Sequence, residues 1–378
     1  MFYLFFPVSA VVFGLGVLNR FGIFPIDMKV DNVAFISTIG NINWYCGYLV
    51  TVFFAGCYLF VKKKWEKKWQ KWLMGGYLVI GYASLMTQGS ESGMMALAVA
   101  CVVLFCMATK DVDQMLAFWQ EMILMCGACV GLWVVRRVFG GELTFKGMFI
   151  DWLSASAFPF LALFAAVLME VVIWGLRKKE LYSAKVSHIF AWIVGMGSII
   201  GVITVIALIA KNTLTPGSIG RLSENSFFTF SINWGSGRGA TWQAGFMCFL
   251  EQNWLHRLFG VGPDGLAAYL YGNGSEMLQN MVTGRFGTAT LTNTHCEWLT
   301  VLVDVGAIGM IGFVGMMLSV IVRGFRSETT KGIVGACGLC LLTYTVNNFF
   351  SFQQSMNLAT MSMILGMLGA YLVCQKQE

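Results

Sequence analysis

An all-α polytopic membrane protein of about ten transmembrane helices, with one large, partly helical extracytoplasmic loop, is the architecture this sequence predicts. Three observations carry that expectation. Hydrophobic residues make up 57% of the chain and charged residues 12%, with a mean hydropathy of +0.70; a soluble domain holds roughly a quarter charged residues. Apolar runs recur along the chain at lengths near the ~20 residues a helix needs to cross the hydrocarbon. One stretch alone, from Lys211 to His295, breaks the pattern and is compatible with water.

Taken in order, the runs cover approximately 2–18, 43–61, 73–88, 93–109, 115–134, 148–174, 188–210, 296–322, 332–349 and 357–374. The first lacks a basic leader and a small-residue cleavage site, which marks a retained span rather than a signal peptide. Lys62, Lys63, Lys64, Lys67, Lys68 and Lys71 crowd one connection, Arg177, Lys178, Lys179 and Lys185 another, and Arg323, Arg326 and Lys331 a third. With Lys110 and Lys376, these place the greater part of the 25 basic residues in short loops on one side. Basic loops stay in the cytoplasm, so both termini are expected inside and 211–295 outside. The chain then divides into an N-terminal bundle of seven spans (1–210), the extracytoplasmic loop (211–295) and a C-terminal bundle of three spans (296–378).

The net charge of +6 sits at the ends of apolar runs, so it speaks for orientation and not for nucleic acid as a partner. The Lys62–Lys71 run, interleaved with Trp65, Trp69 and Trp72, reads as an anchor facing anionic lipid. Of the 11 cysteines, Cys126/Cys129 and Cys337/Cys340 have CxxC spacing. They lie inside apolar runs without His or acidic residues at ligand spacing, which favours helix packing over zinc or redox chemistry. Cys248 and Cys296 alone lie in or beside the outer segment, too few for a disulfide framework.

Within that segment Trp242, Phe246, Phe249 and Leu250 recur at i, i+4, i+7 and i+8. The spacing predicts an amphipathic helix over Ala240–Gln252, lying at the membrane interface or capping the bundle. Gly265–Tyr271 reads as a shorter helix, and the Gly-, Asn- and Thr-rich stretch 272–294 as irregular. Ahead of the first helix stands Gly235-Ser236-Gly237-Arg238-Gly239. Glycines admit close approach of a ligand to backbone N–H groups, a helix N-terminus favours anions, and an arginine fork matches phosphate oxygens; the alternative is a flexible turn with a surface arginine.

A second Gly-rich turn covers Gly260-Val261-Gly262-Pro263-Asp264-Gly265. His295 stands where the chain re-enters the apolar region, as a general base or as a capping, interfacial residue. Glu297 and Asp304 are seven apart and share a helix face, and a carboxylate as deep as Asp304 requires a partner. Glu121 and Glu170 lie toward the cytoplasmic side of their spans, the one hint of a proton-driven transporter. The chain has no DxD, HExxH or GxxxxGK[ST], which disfavours a metal-dependent nucleotide-sugar enzyme or an ATP-driven pump.

Several stretches in order resemble the O-antigen ligase/polymerase superfamily of bacterial membrane glycosyltransferases. Leu258-Phe259-Gly260-Val261-Gly262-Pro263, then Asn293-Thr294-His295-Cys296-Glu297-Trp298-Leu299, then Val303-Asp304-Val305-Gly306-Ala307-Ile308-Gly309 are similar to the family's "FGxGxG…HNxxLxxxxExGxxG" pattern. Gly237-Arg238-Gly239-Ala240-Thr241-Trp242 is similar to "GRxxxW", Gly40-Asn41-Ile42-Asn43-Trp44 to "GNPN", and Thr87-Gln88-Gly89-Ser90-Glu91-Ser92-Gly93 stands in the place of "TxSRG". Three positions depart from the pattern: Cys296 replaces the Asn after His, Ile42 the Pro, and Glu91 one of two phosphate-binding arginines, for which Arg221 or Arg285 are the candidate replacements. Family members also carry more spans ahead of the position of Gly40.

The resemblance implies transfer of a glycan from an undecaprenyl-diphosphate-linked oligosaccharide to the hydroxyl of a glycan or lipid-linked acceptor. The reaction would occur on the outer face of the bacterial cytoplasmic membrane, in polysaccharide polymerisation or ligation for lipopolysaccharide or capsule. It implies His295 and Arg238 as catalytic residues, and Gly237, Gly239, Gly260, Gly262, Glu297, Asp304, Glu91, Arg221 and Arg285 as substrate-binding residues. No cofactor and no metal are expected. The competing class is a transporter or flippase of lipid-linked oligosaccharide, which predicts charges spread at mid-depth along several spans and symmetric halves.

Overall fold

The computed structural model describes residues 4–28, 35–138, 152–153, 156–327 and 332–374. Lys331, Lys376 and the first residues of the runs predicted at 2–18 and 148–174 lie outside these. The helices that coincide with the ten apolar runs are α1 (Phe5–Arg20), α2 (Ile42–Lys62), α3 (Lys68–Thr87), α4 (Ser92–Ala108), α5 (Val112–Val138), α6 (Phe158–Lys178), α7 (Ala184–Leu214), α12 (Glu297–Arg326), α13 (Ile333–Asn347) and α14 (Ser355–Cys374). Between α7 and α12 come α8 (Trp234–Glu251), α9 (Trp254–Phe259), α10 (Leu266–Asn273) and α11 (Glu276–Phe286), preceded by two short 3-10 turns.

Among the described residues, six helices are long and apolar enough to cross a membrane: α2, α5, α6, α7, α12 and α14. They mark a helical, multi-pass membrane protein. Helices α1, α4 and α13 are apolar but have only 16, 17 and 15 residues, and at ~1.5 Å per residue such lengths fall short of ~30 Å of hydrocarbon. Helix α3 opens among the lysines Lys68 and Lys71. Beside the helices stands one small hairpin the sequence reading did not foresee, Phe35–Ile36 paired antiparallel with Gly40–Asn41.

The chain forms two compact units. The first comprises Met1–Gly195, Val320–Asn347 and Gln354–Glu378. Its centre is α2, apolar on every side and therefore buried all round, against α1, α3, α4, α5, α13 and α14. Several polar groups inside this unit pair with one another. Thr343 Oγ1 donates to the Val50 carbonyl at 2.8 Å, Tyr82 donates to Glu121 at 2.6 Å, and Gln120 donates to Glu170 at 2.8 Å. The cysteines of both CxxC stretches are buried free thiols.

The second unit comprises Met196–Ser319 and Asn348–Gln353. Its core is small and apolar: Ala244, Cys248, Leu266, Leu270, Leu278, Val282, Leu291 and Val303, contributed by α8, α10, α11, α12 and the loop before α12. Burying each leucine contributes roughly 1.5–3 kcal/mol. Two of these, Leu278 and Val282, belong to α11, which corrects the irregular stretch predicted over 272–294. Ser275 caps that helix by accepting from Leu278 N and is itself held by Glu251, which accepts from its backbone N at 2.8 Å and its hydroxyl at 2.6 Å.

Helix α12 is broken once, at Gly306 (φ 71°, ψ −178°). There the 258–262 turn docks against it, so closely that a β-carbon at Gly306 would lie 2.4 Å from the Leu258 carbonyl carbon, and one at Gly260 2.0 Å from the Asp304 carbonyl oxygen. Gly306→Ala should therefore combine left-handed backbone strain with a backbone clash and destabilise by more than ~1–3 kcal/mol. Gly312, with no neighbour within 4 Å, is the control. Thermal unfolding in detergent should drop clearly for Gly306→Ala and stay near wild type for Gly312→Ala.

Candidate functional site

Helix α8 packs on the face its sequence hides. The stripe predicted to face the protein or the interface, Trp242, Phe246, Phe249 and Leu250, leaves Phe246 and Leu250 exposed, whereas Thr241, Ala244, Gly245 and Cys248 are buried. Close helix packing selects small residues. A β-carbon at Gly245 would lie 2.3 Å from Thr294 Cγ2, and Thr241 Oγ1 donates to the Thr294 carbonyl at 2.6 Å. Thr294, wholly buried, is thus the residue through which α8 fixes the chain leading into α12.

That chain segment carries His295. Its backbone is left-handed, at φ 52°, a conformation costing a non-glycine residue about 1–3 kcal/mol but several-fold enriched for His. Neighbours hold it there: His295 N donates to Asn293 Oδ1 at 3.1 Å, and Thr294 Oγ1 donates to the Cys296 carbonyl at 2.7 Å. The imidazole is half-buried and sits edge-on to Phe352, centroids 5.2 Å apart. Its Nδ1 is buried and meets no hydrogen-bonding atom among the described residues. Burial, and then the nearby Arg238 charge, hold its pKa below the ordinary 6.5, so the ring is neutral and basic at neutral pH.

Arg238 opens the regular turns of α8. The three residues ahead of it, Gly235, Ser236 and Gly237, are all left-handed. This turn brings the Gly235 carbonyl to Arg238 Nη1 at 3.0 Å, while Nε donates to the Phe350 carbonyl at 2.9 Å. The guanidinium is therefore oriented from two sides. Arg285, at the end of α11, reaches the same turn: a β-carbon on Gly237 would come within 3.0 Å of its Nη2. Gly239 is equally constrained, facing the Ser231 carbonyl.

Phe350 and Phe352 belong to a segment the sequence reading passed over, Asn348-Phe349-Phe350-Ser351-Phe352-Gln353. Glu297 grips it. The Glu297 N–H donates to the Asn348 and Ser351 carbonyls, both at 2.9 Å, and its carboxylate accepts from Gln353 N at 2.6 Å. The signal available in sequence was a polar and aromatic run, Asn347 to Gln354, interrupting two apolar helices. Rings continue outward from it: Phe350 on Trp242 at 5.9 Å, Trp242 on Trp234 at 5.4 Å, Phe349 on Trp298 at 5.5 Å.

Of the sequence-predicted site residues, then, Arg238, His295, Gly237 and Arg285 gather at one place in the second unit. Glu297 and Asp304 are buried and occupied by the protein's own backbone: Asp304 accepts from Leu266 N at 3.0 Å, at the start of α10. Gly260 and Gly262 serve the same junction, Gly262 N donating to the Asp304 carbonyl at 2.9 Å. Arg221 is exposed on a 3-10 turn. Glu91 lies in the first unit, exposed, just ahead of α4. There the two flanking motif stretches meet: Ser90 Oγ donates to Asn43 Oδ1 at 3.2 Å, and the buried Arg20 donates to the Gln88 carbonyl at 2.6 Å. No group of three or more His, Cys, Asp or Glu able to hold a metal occurs among the described residues.

Compared with protein-family models, curated proteins and solved structures, the chain matches none.

The Glu297 grip predicts a measurable consequence. Glu297→Ala leaves the Gln353 N–H without its acceptor, at a cost of about 1–3 kcal/mol, and amide hydrogen exchange over 348–353 should accelerate. Glu297→Gln keeps a carbonyl acceptor and should retain most of the protection. Equal exchange in wild type and Glu297→Ala would contradict the geometry.

Proposed function

We propose that the protein is a metal-independent inverting glycosyltransferase of the O-antigen ligase/polymerase type. It moves a glycan from undecaprenyl diphosphate to an acceptor hydroxyl on the outer face of the bacterial cytoplasmic membrane. In this reading the chain has ten spans, both termini are cytoplasmic, and 211–295 is the extracytoplasmic loop. The observation that carries the proposal is the meeting of Arg238, Arg285 and a neutral His295 around Gly237, beside the longest of the segments that the distribution of basic residues assigns to the outside. The ordered motifs from Gly40 to Gly309 support it as well.

The chemistry needs little more. An acceptor hydroxyl attacks the anomeric carbon while His295 takes its proton. The bond from that carbon to the phosphate oxygen breaks, and its electron pair leaves with the diphosphate. Arg238 and Arg285, with the N-terminus of α8, stabilise the charge that develops there. Attack opposite the leaving group inverts the anomeric centre.

Purified protein in liposomes, given carrier-linked oligosaccharide on its outer face, tests the proposal. Wild type should make longer or transferred glycan. Arg238→Ala should lower the rate by about 10²–10³-fold and His295→Ala by about 10²–10⁴-fold, with normal insertion of both. Since His295 is a base below its ordinary pKa of 6.5, the wild-type rate should hold as pH falls past 6.5 and drop only further into acid. Movement of the carrier across the bilayer with no new glycan bond would instead indicate a flippase.

A further inference from the structure

The second unit carries an apolar surface that the proposed reaction does not use. It is formed by α9 and the outer side of α8: Trp254 is 68% exposed and Phe259 63%, and Leu255, Leu258, Phe246 and Leu250 are exposed beside them. A water-facing surface does not normally present so many large apolar side chains together.

Its depth follows from α12. Gly306 lies nine residues beyond Glu297, which is about 13 Å along the helix axis at ~1.5 Å per residue. At that level the helix ladder is broken, and the carbonyls of Val303 and Asp304 accept instead from Val261 N at 3.2 Å and Gly262 N at 2.9 Å. Asp304 closes the far side of the turn through Leu266 N, and Asn253 caps α9 on the near side by accepting from His256 N at 2.9 Å. The irregular backbone after α9 therefore has its hydrogen bonds met by α12 about two turns in from that helix's start. Non-helical backbone is tolerated in hydrocarbon only when it is satisfied in this way. Arg257, the cation of α9, donates to the Leu250 carbonyl at the end of α8.

We propose that residues 253–265 form a re-entrant hook whose apolar face is immersed in the acyl chains of the leaflet that α12 enters first. The occupant is lipid hydrocarbon because the end of α9 docks at Gly306 on α12, a helix long and apolar enough to cross a membrane that exposes Ile308 and Ile311 just beyond that point. Trp254 stands at the edge of the hook, as an interfacial tryptophan does. The proposal is independent of glycan transfer.

Bimane attached to Phe259→Cys in the full chain, with Cys374→Ser removing the exposed native thiol, tests it in phosphatidylcholine vesicles. Phosphatidylcholine bearing nitroxides on its acyl chains should remove about half of the emission, and aqueous iodide should leave it nearly unchanged, as for a side chain in the interface or deeper. The same label on Thr283→Cys of α11, an exposed position, should respond in the opposite way. Leu255→Cys repeats the measurement should Phe259→Cys fail to fold. Iodide quenching at both hook positions would place the face in water. Insensitivity to both agents would place it under protein, a second copy included, and either result overturns the proposal.

Discussion

Glu297 holds residues 348–353 through its backbone N–H and its carboxylate, and the geometry of the candidate site hangs from that grip. The gripped segment presents the Phe350 carbonyl to Arg238 and the Phe352 ring to His295. Without it, the start of α8 and the chain before α12 would stay tied through Thr241 and Thr294, but the guanidinium would lose the Phe350 carbonyl and the imidazole the Phe352 ring. A buried carboxylate is costly unless it is bonded. Here bonding it to backbone N–H turns that cost into a positional constraint.

Electrostatics then favour a ligand that is an anion at one end and a proton donor at the other. Two arginines and a helix N-terminus lie on one side of Gly237, and an imidazole that burial and Arg238 keep neutral lies beside them. A protonated histidine there would add a third positive charge; a neutral one leaves the cations to the anion and keeps a base for the donor. The left-handed backbone of Ser236 and His295 shows that both catalytic candidates are held through local strain that the surrounding packing sustains.

Much of the helical scaffold was legible because apolar runs and basic connections have a simple physical meaning in a bilayer. The short α10 was legible too, from Leu266 onward. The helix over Ala240–Gln252 was legible from its aromatic stripe, but its second, small-residue face was not: Thr241 and Gly245 meet Thr294, a contact that no apolar periodicity announces. Helix α11 was hidden by its Gly, Asn and Thr content, although Leu278 and Val282 stand four apart. The site was half legible. Arg238 and His295 sit in recognisable local settings, and Arg285 stood among the candidates, but its approach to Gly237 depends on how α11 folds back. The segment 348–353 has no periodicity at all; its importance arises only from tertiary contacts with Glu297.

A histidine titration would test the shared site most directly. In a chain carrying His188→Asn and His256→Asn, His295 is the single histidine, and its ring resonances can be followed by NMR with pH. The structure predicts a pKa below 6.5 that moves upward when Arg238 is replaced by Gln, because one of its two depressing causes is gone. An identical pKa in both proteins, or a wild-type value at or above 6.5, would mean that arginine and imidazole do not face one another.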